Sequence, residues 1–225
     1  MTSPAGALIV LEGAEGVGKS TQIALLATRI RAEGRDVLSI REPGSTPLGD
    51  GLRRLLLDSD LHIVPRAEAL LFMTARAQLI DEIVRPAMAA GTIILADRFF
   101  LSTYAYQAAG RGLDVDEVSR MNAFATGGLV PDLTLLLELP EGEGMSRAAA
   151  RGPADRIERS GDDFHERVAA AFREFAKPAW QERHKEAGRI ARVDASGTRD
   201  EVANRIWSQF AAWRNETFSA VHGSH

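Results

Sequence analysis

The chain has 225 residues, 45% of them hydrophobic and 26% charged, with 20 Gly, 9 Pro and no Cys, which suits one large domain or two small ones built on a sizeable core. Its formal charge of −4 lacks the basic excess of a non-specific nucleic-acid binder, yet leaves room for a small polyanion held by a few placed cations. The missing cysteines exclude disulfides, thiolate zinc sites and a Cys nucleophile and agree with a cytoplasmic setting, and no uncharged apolar run approaches the roughly 18 residues of a membrane helix.

The first predicted element is a buried strand, Ala7 to Leu11, followed by a Gly-rich turn and a helix of 3.6-residue periodicity from Ser20 to Glu33. A second strand runs from Val37 to Ile40. A helical stretch covers Pro65 to Ala89, and a third strand covers Thr92 to Ala96. Then come a helix from Asp114 to Thr126, a strand from Leu133 to Leu139, and a helix from Asp162 to Glu186. A weaker strand (Arg189 to Val193) and a helix (Thr198 to Trp213) complete the series. Strands alternating with helices predict an α/β fold, a five-stranded parallel sheet with helices on both faces. Residues 1–218 are expected to form a single domain, and 219–225 a disordered tail. The compositional break at Glu141 to Ser160, centred on Arg151-Gly152-Pro153, marks a mobile turn.

Gly13-Ala14-Glu15-Gly16-Val17-Gly18-Lys19-Ser20 matches the phosphate-loop pattern of Gly, four spacers and Gly-Lys-Ser. Its glycines allow a tight turn whose N–H groups point inward at phosphate oxygens, and the following helix adds the positive end of its dipole. Lys19 would reach the β and γ phosphates of a nucleotide, and Ser20 would coordinate Mg²⁺. The chain has only three lysines, Lys19, Lys177 and Lys185, so a Lys at this position is an unusual choice. None follows an Asn, which excludes the guanine-reading Asn-Lys-x-Asp of GTPases. Asp194-Ala195-Ser196-Gly197 has the GTPase Asp-x-x-Gly spacing but lies near the end of the chain, where it closes the last strand. Ala14 and Glu15 occupy the places where a partitioning ATPase carries an extra Lys. A small-molecule kinase remains, with a nucleotide-switched binding protein as the alternative from another class.

The third strand ends in Asp97-Arg98, an acid suited to Mg²⁺ beside the phosphate loop and a base suited to the transferring phosphoryl. Asp97 through Gln107 (DRFFLSTYAYQ) resembles the signature segment of thymidylate kinases. So does Arg41-Glu42-Pro43-Gly44-Ser45-Thr46, with Phe72-Met73-Thr74-Ala75-Arg76 resembling the family's base-binding helix and Ala150 to Glu158 its lid. These segments and the phosphate loop stand in the family's order from about Ala7 to Asp194.

The spacing gives Phe72 and Arg76 one helix face, where a ring can stack on a pyrimidine and an Arg can donate to a carbonyl oxygen. Ser102 with Tyr106, and Thr103 with Gln107, are likewise i,i+4 pairs able to contact a base edge and sugar. The resemblance implies a P-loop kinase fold with a lid at about 142–160, and ATP-dependent phosphorylation of dTMP to dTDP with Mg²⁺ on Ser20 and Asp97, in a cytoplasmic homodimer. It implies that ATP lies on Gly13 through Thr21. It also implies that Phe72 stacks on thymine, Arg76 bonds its O4, Thr103 reads N3 and Tyr106 helps exclude a 2′-hydroxyl. Glu42 would face the acceptor phosphate through Mg²⁺ or Arg98, and Arg53 rather than Arg54 would hold that phosphate. With Glu15 in the loop and arginines in the flexible segment, the chain resembles the bacterial lid-arginine type, so the catalytic set is Lys19, Arg98, Glu15, Arg147 and Arg151. Ala149 departs from that pattern, which leaves Arg147 and Arg151 to share the role. Another P-loop kinase, of a different monophosphate or a nucleoside, is the alternative within the class.

Overall fold

A computed structural model describes residues 6–58, 60–140, 142–149 and 154–222. Five parallel strands form one sheet: β1 (Ala7–Glu12), β2 (Val37–Arg41), β3 (Ile93–Asp97), β4 (Leu133–Glu138) and β5 (Ile190–Asp194), in the order β2-β3-β1-β4-β5. The expected strands and α/β fold are therefore present, each boundary within a residue or so. β1 is central and buried along its whole length, Ala7-Leu-Ile-Val-Leu-Glu12. The period of two sorts its side chains onto two cores. Leu8 and Val10 face one side, with Leu79, Phe99, Tyr104 and the aromatic Phe164, Phe172 and Phe175. Ile9 and Leu11 face the other, with Ile23, Leu26 and Ile30 of the first helix and Ile206 and Phe210 of the last.

Helix α1 (Lys19–Ala32) starts straight from the Gly-rich turn, with Gln22, Ile23, Leu26, Ala27 and Ile30 buried at helical spacing. Helix α2 (Pro47–Arg53) is capped by Thr46, whose Oγ1 accepts from Gly49 N at 2.9 Å, and carries Pro at its first position. Helix α3 (Pro65–Leu79) continues through a π turn (Ile80–Val84) into α4 (Arg85–Ala89), so Pro65 to Ala89 is helical as expected. The π turn lies just ahead of Pro86, which lacks an N–H to continue the ladder.

After β3, a short α5 (Phe100–Thr103) runs into a π segment (Tyr104–Gly110), and α6 (Val115–Thr126) follows with Asp114 capping Glu117 N at 3.0 Å. Beyond β4, α7 (Glu143–Ala149) gives a helix of two turns to a stretch whose composition suggested only a mobile turn; the expected Gly152-Pro153 break lies outside the described residues. The single helix expected from Asp162 to Glu186 is divided. α8 (Asp162–Phe175) stops, and α9 (Pro178–Arg183) restarts at Pro178 after an extended Lys177, because the residue before a proline is pushed out of the helical region. A 3₁₀ turn (Lys185–Ala187) then leads to β5. The last helix, α10 (Arg199–His222), outruns its expected end at Trp213 and continues beyond Phe218. No apolar period marks that extension.

Parallel strands share one carboxyl edge, and here the order reverses around β1, with β3 on one side and β4 on the other. The crevice outside that edge is where a doubly wound sheet holds a ligand.

Candidate active site

β1 ends in Glu12 and delivers the chain into the phosphate loop. Gly13 (φ 139°) and Gly16 (φ 73°) have positive φ, and each is met closely by backbone: a Cβ on Gly13 would lie 2.4 Å from Leu137 O, and one on Gly16 1.9 Å from Gly144 O of α7. The loop is thus folded beneath β4 and against α7, a fit that a side chain at either position would block. Lys19 Nζ donates to Gly13 O at 3.0 Å and Ala14 O at 2.8 Å. Burial and the neighbouring Arg98 lower its pKa to about 8, against the opposing pull of Glu15, Asp97 and Glu12. Ser20 Oγ donates to Asp97 Oδ2 at 2.6 Å, so the hydroxyl and carboxylate expected to share a cation are adjacent. Val17 packs into the α1 core.

The corner after β3 is built around Glu12, which has no solvent exposure. Its Oε1 accepts from Phe99 N at 2.8 Å and Ser102 N at 3.1 Å, and its Oε2 accepts from Ser102 Oγ at 2.7 Å. Immediately before these anchors Arg98 takes φ 72°, an uncommon conformation for a residue with a side chain, held by its N–H on Leu11 O at 3.1 Å. Its guanidinium donates to Gly13 O, to Ser102 Oγ at 3.0 Å and to Glu15 Oε1 at 2.6 Å, and lies 5.0 Å from the centre of the Tyr106 ring. Tyr106 donates its hydroxyl to the same Glu15 oxygen at 2.6 Å. Burial penalises the Arg98 charge, but Glu15, Tyr106, Asp97 and Glu12 more than offset this and its pKa is raised. Burial likewise pushes the Tyr106 hydroxyl well above its ordinary value.

At the other end of the crevice, Phe72 of α3 is partly buried and its neighbour one turn on, Arg76, is fully buried. Arg76 Nε and Nη2 donate to Glu42 Oε2, Nη1 to Thr103 Oγ1 at 2.9 Å and to Asn122 Oδ1, and Nη2 to Phe99 O at 2.9 Å. All five N–H donors of the guanidinium are therefore engaged by protein. A base carbonyl here must share or displace one of them. Burial raises the pKa of Glu42 despite Arg76, and its Oε1 has no hydrogen-bond partner among the described residues. The Glu42–Arg76 pair was not expected, since Glu42 was assigned to the acceptor phosphate. Arg53 donates to Pro43 O at 3.0 Å, while Arg54 is exposed in the π turn that follows α2.

These groups line one cavity of about 470 Å³: Glu15, Gly16, Gly18, Lys19, Ser20 and Thr21 from the loop, with Asp97 and Arg98; Glu42, Arg53, Phe72 and Arg76; Ser102, Thr103, Tyr106 and Gln107; and Arg147 of α7. Arg147 is exposed and pairs with Glu143 at 3.3 Å. Gly13 and Ala14 contribute their carbonyls to Lys19 from below. Arg151 lies outside the described residues. The same cavity is also lined by Arg41 and Pro43 of the stretch Arg41 to Thr46 and by Asp155, Ile157 and Glu158 of the segment resembling the lid, none of which the sequence reading gave a role of its own, and by Leu57, which it passed over. Glu12 and Asn122 were also missed. Glu12 had a usable signal, an acid ending an apolar strand directly before a phosphate loop; Asn122, deep on α6, had none.

A parallel sheet whose first strand feeds a phosphate loop, with an Asp-Arg corner on the neighbouring strand and an aromatic, amide-bearing end opposite, defines a P-loop kinase of small phosphorylated acceptors. The sequence comparisons narrow the class. A profile described as thymidylate kinase matches residues 11–206. The chain is 48% identical over 200 residues to the thymidylate kinase of Synechococcus sp., covering 89% of this chain and 92% of that one. It is 44% identical over 203 residues to that of Deinococcus radiodurans (90% and 95%), and 49% identical over 177 residues to that of Pseudomonas putida (78% and 84%). The chain belongs to the thymidylate kinase family.

The lowered Lys19 pKa has a measurable consequence. Above about pH 8 the ligand-free lysine is largely neutral, whereas bound phosphates favour its charged form, so binding a nucleoside triphosphate at pH 9 takes up a proton, close to one per site. Calorimetry in buffers of different ionisation enthalpy reads this directly. The uptake is expected to fade towards pH 7 and to vanish in Lys19→Met.

Proposed function

We propose that this protein transfers the terminal phosphoryl group of ATP to dTMP, giving ADP and dTDP. The observation that carries the reading is the convergence, in one cavity, of a phosphate loop and of Phe72, Thr103 and Gln107 suited to a pyrimidine. ATP lies on Gly13 through Thr21, and Lys19 exchanges the carbonyls of Gly13 and Ala14 for phosphate oxygens. An oxygen of the dTMP phosphate attacks the terminal phosphorus, the bond to the ADP oxygen breaks, and the charge on the equatorial oxygens is met by Lys19, Arg98 and the lid arginines Arg147 and Arg151. Arg53 orients the acceptor phosphate. Glu15, tied to Arg98 and Tyr106, fixes both against the sugar side.

The adjacent Ser20 hydroxyl and Asp97 carboxylate are hard oxygen donors, and among the described residues no group of three carboxylate or imidazole side chains competes with them. That donor set fits Mg²⁺, which Ser20 and Asp97 would hold. Bound there, the ion would neutralise charge that develops on the transferring phosphoryl group. ADP formation with a panel of nucleoside monophosphates tests the reading: turnover is expected with dTMP, and a preference for another monophosphate would replace it.

Phe72→Ala is expected to weaken dTMP binding by roughly 5- to 150-fold, the worth of one base–aromatic stack, with ATP affinity little changed. Calorimetric titration of each nucleotide checks this, and unchanged dTMP affinity would return Phe72 to a packing role.

A cytoplasmic homodimer is part of the same proposal. Among the described residues no helix is long and apolar enough to cross a membrane. Phe124 on α6 is 90% exposed and Leu70 on α3 55% exposed, on helices that pack together, and Leu48 on α2, which packs on α3, is exposed as well. A bare aromatic on this group of helices favours a second copy as its cover. Sedimentation of Phe124→Glu is expected to show a monomer at concentrations where the wild type is a dimer.

A further inference from the structure

Glu68 lies on α3 one turn before Phe72 and two before Arg76, yet it does not line the cavity and has no solvent exposure. Its Oε1 accepts from Gln107 Nε2 at 3.1 Å and Arg111 Nε at 3.0 Å. Its Oε2 accepts from Arg111 Nη2 at 3.1 Å and Arg156 Nη2 at 2.6 Å. The two arginines are themselves fixed. Arg111 bonds Ser160 Oγ at 3.0 Å and lies 4.4 Å from the centre of the Phe164 ring, and Arg156 Nε donates to Leu56 O at 2.6 Å.

We propose that Glu68 is a positioning residue that sets the amide orientation of Gln107 and thereby makes the base-facing atom of the cavity a hydrogen-bond acceptor. The inference rests on the dTMP reading above. An ionised carboxylate only accepts, so a glutamine beside it must turn its NH₂ towards the acid. Burial alone would favour the protonated acid, but the bonds from Arg111, Arg156 and Gln107 outweigh it and keep Glu68 ionised. Gln107 lines the cavity, and its Oε1 accepts no hydrogen bond among the described residues. With Nε2 pinned from behind, Oε1 is the atom left to face a ligand. The N3 contact, expected of Thr103, thereby falls to Gln107, since Thr103 Oγ1 already accepts from Arg76 at 2.9 Å: thymine presents an N–H at N3 and pairs with Oε1, whereas cytosine presents a lone pair there and is repelled. An unpinned glutamine would rotate to suit either base, so selectivity depends on the acid behind the amide, as in sites that leave a buried polar group unpaired with the wrong substrate.

The test measures dTMP and dCMP affinities by calorimetry, with dTMP turnover alongside, for the wild type, Glu68→Gln, Glu68→Asp, Gln107→Met and the double variant Glu68→Gln/Gln107→Met. Glutamine at 68 both donates and accepts, which frees the Gln107 amide, so the preference for dTMP is expected to fall by about tenfold or more, the worth of one hydrogen bond. Aspartate keeps the charge facing Arg111 and Arg156 but draws back from Gln107, and a smaller loss is expected. Gln107→Met is expected to lose the preference as well, and the double variant no more than the single ones, because both act through one amide. A structural role for Glu68 would weaken both nucleotides equally and give additive losses. Absence of dTMP phosphorylation by the wild type would defeat the acceptor reading, and this inference with it. If the wild type turns over dTMP, an unchanged preference in folded Glu68 variants, additivity in the double variant, or failure of both Glu68 variants to fold would overturn the positioning role alone.

Discussion

Glu12 closes β1 with a fully buried carboxylate, and its bonds to the backbone of Phe99 and Ser102 determine what the rest of the site can do. A buried acid without partners would be costly; with two backbone N–H groups and the Ser102 hydroxyl it becomes a joint between the strand that carries the phosphate loop and the corner that follows β3. The first turn of α5 starts on that joint, and Arg98, just ahead of it, is turned into the left-handed region. Arg98 then spans loop and corner through Gly13 and Glu15. The phosphate end and the acceptor end are consequently parts of one rigid arrangement, not two loops meeting by chance.

A second consequence is that the cavity's buried cations already have protein partners. Lys19 rests on two loop carbonyls, Arg98 on Glu15 and Ser102, and Arg76 on Glu42, Thr103, Asn122 and Phe99. A ligand bond to Arg76 therefore replaces a protein bond, and only the surplus appears as affinity. The arrangement keeps buried cations from bearing their full desolvation cost, and it holds them within reach of the positions substrate oxygens will take. Lys19 is the least settled of the three. Its neutral carbonyl partners do not compensate for burial beside Arg98, and its lowered pKa reflects this.

Much of this was legible in the sequence wherever the determinant is local. The phosphate loop is a contiguous pattern, and the strands are short apolar runs whose alternation forces a parallel sheet. The i,i+4 spacing of Phe72 with Arg76, and of Thr103 with Gln107, placed each pair on one face that the cavity indeed collects. What was hidden depends on contacts between distant segments. Asn122 meets Arg76 across 46 residues and Arg156 meets Glu68 across 88, and no local pattern distinguishes a buried Glu68 from a solvated acid on an amphipathic helix. The division at Pro178 was obscured because apolar spacing persists across it, from Phe172 and Phe175 to Trp180. Helix α7 was obscured by a composition rich in Gly and Arg, and its contact with the loop depends on two glycines, Gly16 and Gly144, approaching backbone to backbone.

That backbone contact bears on how Arg147 is placed. The carbonyl of Gly144 approaches so near Gly16, and Gly144 so near Glu15 O, that neither glycine has room for a side chain and α7 lies directly against the loop. Arg147 lies on the same short helix, exposed at the cavity rim and held only by an ion pair with Glu143, four residues earlier. Such an exposed pair is weak, worth well under about 1 kcal/mol, and releases its arginine at little cost. α7 thus packs against the loop and carries Arg147 at the cavity rim, so the backbone that shapes the loop also sets where this arginine stands. In the proposed transfer such a cation would raise the rate only by stabilising charge that develops during transfer more than charge already present in the bound nucleotide.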